Sequence, residues 1–304
     1  MSPHAADEDA TNSYQSLAET TDQDDPRWAF GTGVSDVRAE ITSPVPVGVE
    51  TADLTAYCLM LGDDALIYSH RLSEWVSNAP ELEEDVALAN IALDLLGQAR
   101  VLLGRAGHVE GGARDEDALA YQRPDDQFRN VGLAELGDNL DFAQAVARLL
   151  IFSSWRLALL LRLLDSTDPV IAAVAGKGVK EVTYHRDYAA RWTLRLGNGT
   201  AESRRRMQAA LEALWPYVDE LFRTSDEERR LVETGVAVDP ADTRVDVDAV
   251  LDEVFAKATL ARPERPAIGT ICGRSGRQGL HTEHLGHALA EMQSLARQHP
   301  GASW

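Results

Sequence analysis

Between Leu54 and Trp75 the apolar residues fall at intervals of four, three, four, three, four and three: Leu54, Cys58, Leu61, Ala65, Tyr68, Leu72 and Trp75. A seven-residue spacing held this long keeps one seam of a helix against neighbouring helices along its whole length. Ser77-Asn78-Ala79 makes a short turn, and a second long helix follows over Pro80–Leu103, so the first two helices are antiparallel neighbours. Pro80 suits a first helical position, and Glu81, Glu83, Glu84 and Asp85 crowd the end where the helix dipole favours anions. Two apolar rows run side by side along this helix. One is Leu82, Val86, Ala89, Leu93 and Leu96; the other is Leu88, Ala92, Leu95, Ala99 and Leu102. Together they make an arc wider than the stripe of a surface helix, which predicts burial on most of the circumference. Asn90, Asp94 and Gln98 follow one another turn by turn, as a solvated face or as a polar seam inside a bundle.

The remaining chain continues the helical pattern. Gly104 to Gln127 reads as a linker, with Gly107, Gly111, Gly112 and Pro124. A third long helix is expected over Asn139–Leu164, with Phe142, Val146, Leu149, Ser153, Leu157, Leu160 and Leu164 on one row. Asp168 and Pro169 cap and open a fourth, which Gly197-Asn198-Gly199 ends. Shorter helices are expected at 203–222, 226–234, 245–260 and 280–298, with a Pro/Gly-rich loop at 262–279. The class is all-α, with four long helices at the centre of a single domain over 51–304. Residues 1–50 are rich in Asp, Glu, Ser and Thr without periodicity and read as an acidic, disordered tail.

A formal net charge of −20 argues against a nucleic-acid surface or an anionic membrane as partner. Cys58 and Cys272 are the only cysteines, so neither a disulfide framework nor a CxxC metal site is possible, and a reducing compartment fits. The N-terminus lacks the basic-then-apolar order of a signal peptide. The apolar run Ala145–Leu164 is interrupted by Arg148, Arg156 and Arg162 and reads as a buried bundle helix, not a membrane span. The expected home is the cytoplasm.

A four-helix centre raises the question of a di-iron carboxylate site. Such sites draw a Glu from each of two helices and a Glu-x-x-His from each of the other two. Here no histidine has an acid three residues before it: positions 67, 105, 182, 278, 281, 284 and 296 are Ile, Arg, Val, Gln, His, His and Ala. The third long helix carries no acid between Ala143 and Leu164. The nearest approach is Glu181 and His185, one turn apart, with His185 on an apolar row. They form a metal or proton-transfer pair, or a buried histidine satisfied by a carboxylate; with Asn90, Asp94 and Gln98 they would make a polar, metal-free core. His281, Glu283, His284 and His287 cluster near the C-terminus, but a straight helix cannot converge all three histidines. Arg274 and Arg277, in a Gly-rich loop, are candidates for a phosphate or partner contact, against the simpler reading of an exposed turn. Arg204, Arg205 and Arg206 read as a solvated helix start. No Ser-His-Asp order, P-loop or dinucleotide fingerprint supports a hydrolase, kinase or dehydrogenase.

Three stretches carry a resemblance: LTAYCLMLGDDALIYSHRLSEWVSNAPELEEDVALANIALDLLGQAR, KEVTYHRDYAARWTLRLGNGT and GLHTEHLGHALAEMQ. Over about Leu54–Trp304 the chain resembles the C-subunit family of bacterial phenylacetyl-CoA epoxidases (ring-1,2-epoxidases), in the ferritin-like superfamily. The resemblance implies a ferritin-like four-helix core with extra C-terminal helices. It implies a homologous A subunit as partner, which holds the di-iron centre and epoxidises the ring of phenylacetyl-CoA with O2. It implies a reductase that draws on NADPH through FAD and an Fe–S cluster. The C subunit is then a structural, non-catalytic member that binds no cofactor, with one edge of the CoA-ester site as a further candidate role. Asp94 and Glu181, with His185 nearby, become the vestigial ligand positions. Two other readings stand beside this one: an autonomous metal-dependent oxygenase with a non-standard site at Asp94, Glu181 and His185, and a free-standing binding module.

Overall fold

The computed structural model describes residues 40–137, 141–299 and 302. Most of the expected acidic tail therefore lies outside the described residues. All of the described residues belong to the compact unit that begins at Val37.

Four long helices form its centre: α1 (Thr51–Ser73), α2 (Leu82–Val109), α5 (Phe142–Leu163) and α6 (Pro169–Gly197). Between them lie two short helices, α3 (Glu116–Tyr121) and α4 (Gly132–Glu135). After them come α7 (Ala201–Leu214), α8 (Asp226–Glu233), α9 (Arg244–Lys257) and α10 (Glu283–Gln298). Among the described residues the chain is helix and loop, with one isolated bridge between Ile271 and Arg274. α1 packs along α2, α5 packs along α6, and the two pairs meet where α2 lies on α6. This is the all-α, ferritin-like arrangement that the periodicity and the resemblance imply.

The helix ends follow their local chemistry. Asp168 accepts hydrogen bonds from the backbone N–H groups of Val170 and Ile171, and Pro169 opens α6. Asp141 caps α5 through Ala143 N–H. Ser225 and Glu228 form a reciprocal capping box on α8. α2 runs on past its expected end at Leu103 to Val109. Gly104 and Gly107 are close-approach positions inside the helix, not breakers: the Ile41 side chain lies against Gly104, and a Cβ at Gly107 would meet Arg114 O at 2.0 Å. α10 begins at Glu283, later than expected, so His281 precedes it.

All seven residues of the Leu54–Trp75 row are buried, and so are Leu88, Ala92, Leu95, Ala99 and Leu102. The other apolar row of α2 is not: Leu82, Val86 and Leu93 are exposed. Burial on most of the circumference is therefore corrected to burial on one arc, because α1 and α6 together cover only the side of α2 that faces the core. Leu164, expected on a buried row, lies just past the end of α5 and is also exposed.

Packing also begins earlier than the tail boundary at residue 50. Ile41, Val45 and Val49 lie against the core. The fully buried Arg105 donates to the carbonyls of Ile41, Ser43 and Pro44, and its charge is met by Asp168 at 2.6 Å. One guanidinium thus ties residues 41–44, the C-terminal part of α2 and the start of α6 together.

Candidate functional site

The centre of the bundle is held by one buried cation. Arg156, on α5, is completely buried. Its Nη1 donates to Leu61 O of α1 at 3.0 Å, and its Nε and Nη2 donate to Gln98 Oε1 of α2 at 3.3 and 3.1 Å. Gln98 Nε2 in turn donates to Glu181 Oε2 of α6 at 3.0 Å. A single hydrogen-bonded chain therefore crosses all four long helices. Burial lowers the Arg156 guanidinium to about 10, and the Asp64 carboxylate opposes that fall. It remains a cation at neutral pH.

A second buried layer surrounds it. Asp64 accepts from both terminal nitrogens of Arg277, at 3.0 and 2.9 Å, and from Val131 N–H at 2.8 Å. Burial alone would lower Arg277, but Asp64 beside it, together with Glu228 and Glu220, more than offsets this and raises it. Asp63 pairs with Arg123 through two hydrogen bonds, and Arg123 stacks 4.2 Å from the centre of the Phe128 ring. Farther along, the fully buried Glu135 receives Thr282 N–H at 2.6 Å, Asn130 Nδ2 at 2.8 Å and His281 Nδ1 at 2.7 Å. The other ring nitrogen of His281 faces Phe128 O at 3.1 Å. Both ring nitrogens meet acceptors, so the geometry calls for imidazolium. Burial works against that charge, and Glu135, Phe128 O and Asp63 together outweigh it, raising the histidine above its usual range.

The expected site residues separate into different roles. Asp94 Oδ2 lies 3.1 Å from His185 Nε2, and His185 is buried, while Asp94 keeps a partly exposed carboxylate. Glu181 points to Gln98 and, at 3.3 Å, to Lys177 Nζ. Asp94, Glu181 and His185 are thus already committed to protein partners in two groups. Among the described residues, the three-donor set found within 4.8 Å is Glu81, Glu83 and Glu84, at the exposed start of α2. In the core a guanidinium and an amide are hydrogen-bonded in line with Glu181, a donor set that does not suit a pair of metal ions. The autonomous oxygenase reading loses its basis there.

Asn90, Asp94 and Gln98 do not form one seam. Asn90 is exposed, Asp94 is at the margin and only Gln98 is buried. α2 turns about 100° per residue, so three residues spaced by four drift around it and cross from solvent to core. Arg277 is corrected from a loop contact to a buried structural group, while Arg274 is exposed and donates to Gln278 O at 2.9 Å. His281 joins Glu135, whereas His287 is exposed on α10, so the histidine cluster does not converge. Arg205 and Arg206 pair with Glu202 on the surface.

Sequence reasoning missed Asp63, Asp64, Arg156, Arg123 and Glu135. Two signals pointed to some of them. Asp63-Asp64 interrupts the densest apolar stretch of α1, and buried charges demand partners. Arg148 and Arg156 interrupt the most apolar helix, and both are buried.

Fold and site together define a ferritin-like helical bundle whose centre is closed by its own side chains. The chain belongs to the family described as phenylacetic acid catabolic protein, whose model matches residues 43–304. It is 48% identical over 254 residues to the C subunit of the 1,2-phenylacetyl-CoA epoxidase of Escherichia coli (strain K12). The match covers 83% of this chain and 99% of that protein.

Proposed function

We propose that this chain is the non-catalytic structural subunit of a 1,2-phenylacetyl-CoA epoxidase acting in aerobic phenylacetate catabolism. The likeness to the Escherichia coli epoxidase subunit, over nearly the full length of that protein, supports the complex and its substrate. The observation that carries the non-catalytic part is Arg156. A fixed positive charge, hydrogen-bonded to α1 and α2, stands at the centre of the bundle, and a buried cation there repels metal ions. The bundle is thus self-sufficient and needs no cofactor to neutralise its core carboxylates.

In this reading the partner is a homologous catalytic subunit with the di-iron centre, and a reductase supplies electrons from NADPH through FAD and an Fe–S cluster. The complex works in the cytoplasm. The role of this chain is mechanical. Metal chemistry needs ligands held within about half an ångström, and a rigid neighbouring bundle supplies that restraint. The test is reconstitution. The catalytic subunit, purified alone and with this chain, is assayed with its reductase, NADPH, O2 and phenylacetyl-CoA. Epoxide should form only, or far faster, with this chain present. Equal turnover without it would refute the proposal.

A further inference from the structure

α6 presents solvent with a face unlike the rest of the chain. Beyond its first residue, its exposed positions are Gly176, Lys177, Lys180, Tyr184, Arg191 and Arg195. Four of these are cations and none is an acid, in a chain of 49 acidic and 29 basic residues. Two of the chain's three lysines stand here, three residues apart. At about 100° per residue, Lys177, Lys180, Tyr184, Arg191 and Arg195 share an arc of about 60° and run for about 27 Å along the helix.

A row of cations on a helix is ordinarily matched by acids one turn away. Here the match is thin. Lys177 reaches Glu181 at 3.3 Å, but that carboxylate is turned inward and held by Gln98, with 13% of its side chain exposed. Lys257, on α9, pairs with Glu253 at 2.6 Å, whereas Lys180 pairs with no carboxylate among the described residues. Arg195 lies 4.5 Å above the centre of the Trp192 ring, which pre-orders its guanidinium at the surface. Tyr184, in the middle of the row, is 52% exposed. Tyrosine and arginine are the residues that carry binding energy at protein interfaces.

The kind of partner follows from this charge. The net charge of −20 acts on a distant molecule, but in physiological salt a charge is felt over about 8 Å, so the local row governs what docks on it. Its complement is an acidic protein surface. Permanent subunit interfaces are large and apolar, whereas proteins that bind and leave use smaller, charge-steered contacts. A narrow row of cations around one tyrosine is of the second kind. Among the components of the function proposed above, the electron-donating reductase is the one whose work is delivery. We infer that this face of α6 is the docking site for an acidic surface of that reductase. The inference rests on the proposed function and adds to it where the electron donor lands.

The test is NADPH-driven epoxidation in the reconstituted complex, measured against reductase concentration at low and high salt. Three forms of this chain are compared: the parent, the double variant Lys180→Glu with Arg195→Gln, and Lys257→Glu as the control on another face. All three positions are exposed, and Glu and Gln are good helix formers, so each form should fold, as circular dichroism will register. The half-saturating reductase concentration should rise with salt for the parent. In the double variant it should be about fivefold higher at low salt and nearly independent of salt, with the limiting rate unchanged. Lys257→Glu should behave as the parent does. An unchanged half-saturation in the double variant, or an equal rise in Lys257→Glu, overturns the docking site. So does a double variant that no longer co-purifies with the catalytic subunit, because the face would then belong to that permanent partner. A parent chain that supports no epoxidation at all overturns the proposed function itself, and the docking site with it.

Discussion

Arg156→Met tests whether the buried cation holds the bundle together. Methionine keeps much of the aliphatic stem and removes the two hydrogen bonds to Gln98 Oε1 and the one to Leu61 O. Leu61 O lies within α1, where the helix itself supplies a donor, so its loss is small. Gln98 Oε1 is different: it is left buried without a donor, at a cost of about 1–3 kcal/mol. Asp64 also loses one of the two cations that stabilise its charge. Removing one member of a buried ionic network costs about 3–5 kcal/mol, and that is the loss expected here. The second variant, Arg156→Met with Gln98→Leu, takes away the stranded amide. Glu181 keeps Lys177 at 3.3 Å, so its charge is still met. The double variant should therefore recover about 1–3 kcal/mol relative to the sum of the two single changes. Urea unfolding followed by helical circular dichroism measures all four proteins, with equal slopes required before midpoints are converted to energies. A single-variant loss below about 1 kcal/mol, or strict additivity in the double variant, would show that Arg156 is a passenger and not a strut.

Three further outcomes are expected from other parts of the structure. Against the opposing effect of burial, His281 is raised in the folded state by Glu135, Phe128 O and Asp63, above the value near 6.5 of a free histidine. Its contribution is complete below that value and is lost as pH rises through the folded one, so stability to urea should fall as pH rises above the range of a free histidine. His281→Gln should flatten that part of the profile, and an unchanged slope would sink the assignment. Arg105→Ala should release residues 41–44 and strand Asp168, costing about 3–5 kcal/mol and opening a protease site near residue 45 that the parent chain lacks. Two glycine substitutions should act with opposite signs in thermal melts. Gly176→Ala adds a methyl to open space on α6 and should stabilise by about 0.5–1 kcal/mol. Gly107→Ala drives a Cβ into Arg114 O and should destabilise by more than that.

The architecture was legible because it rests on periodicity. The Leu54–Trp75 row and the Leu88–Leu102 row could bury themselves only in a helical bundle, and both are buried. The capping pair Asp168-Pro169 gave the start of α6 to the residue. What the sequence could not tell is which way an apolar row faces. Leu82, Val86 and Leu93 are as apolar as their buried neighbours, and the core takes only one arc. The partners of charges were equally hidden. Arg277 sits in a loop of glycines that reads as exposed, yet its partner Asp64 is 213 residues away and buried. Glu135 and His281 are 146 residues apart, and no local pattern announces their meeting. Long-range ion pairs leave no spacing rule in a single sequence, whereas helix faces do.

The central claim is that this bundle is closed by its own cation and leaves metal chemistry to a partner. The most direct measurement is iron per chain, by elemental analysis, for this chain purified alone after exposure to ferrous iron under anaerobic conditions. The expected result is iron far below stoichiometry, with iron and epoxidase activity appearing only when the catalytic subunit is added. About two irons per isolated chain, the content of a di-iron bundle, would contradict it.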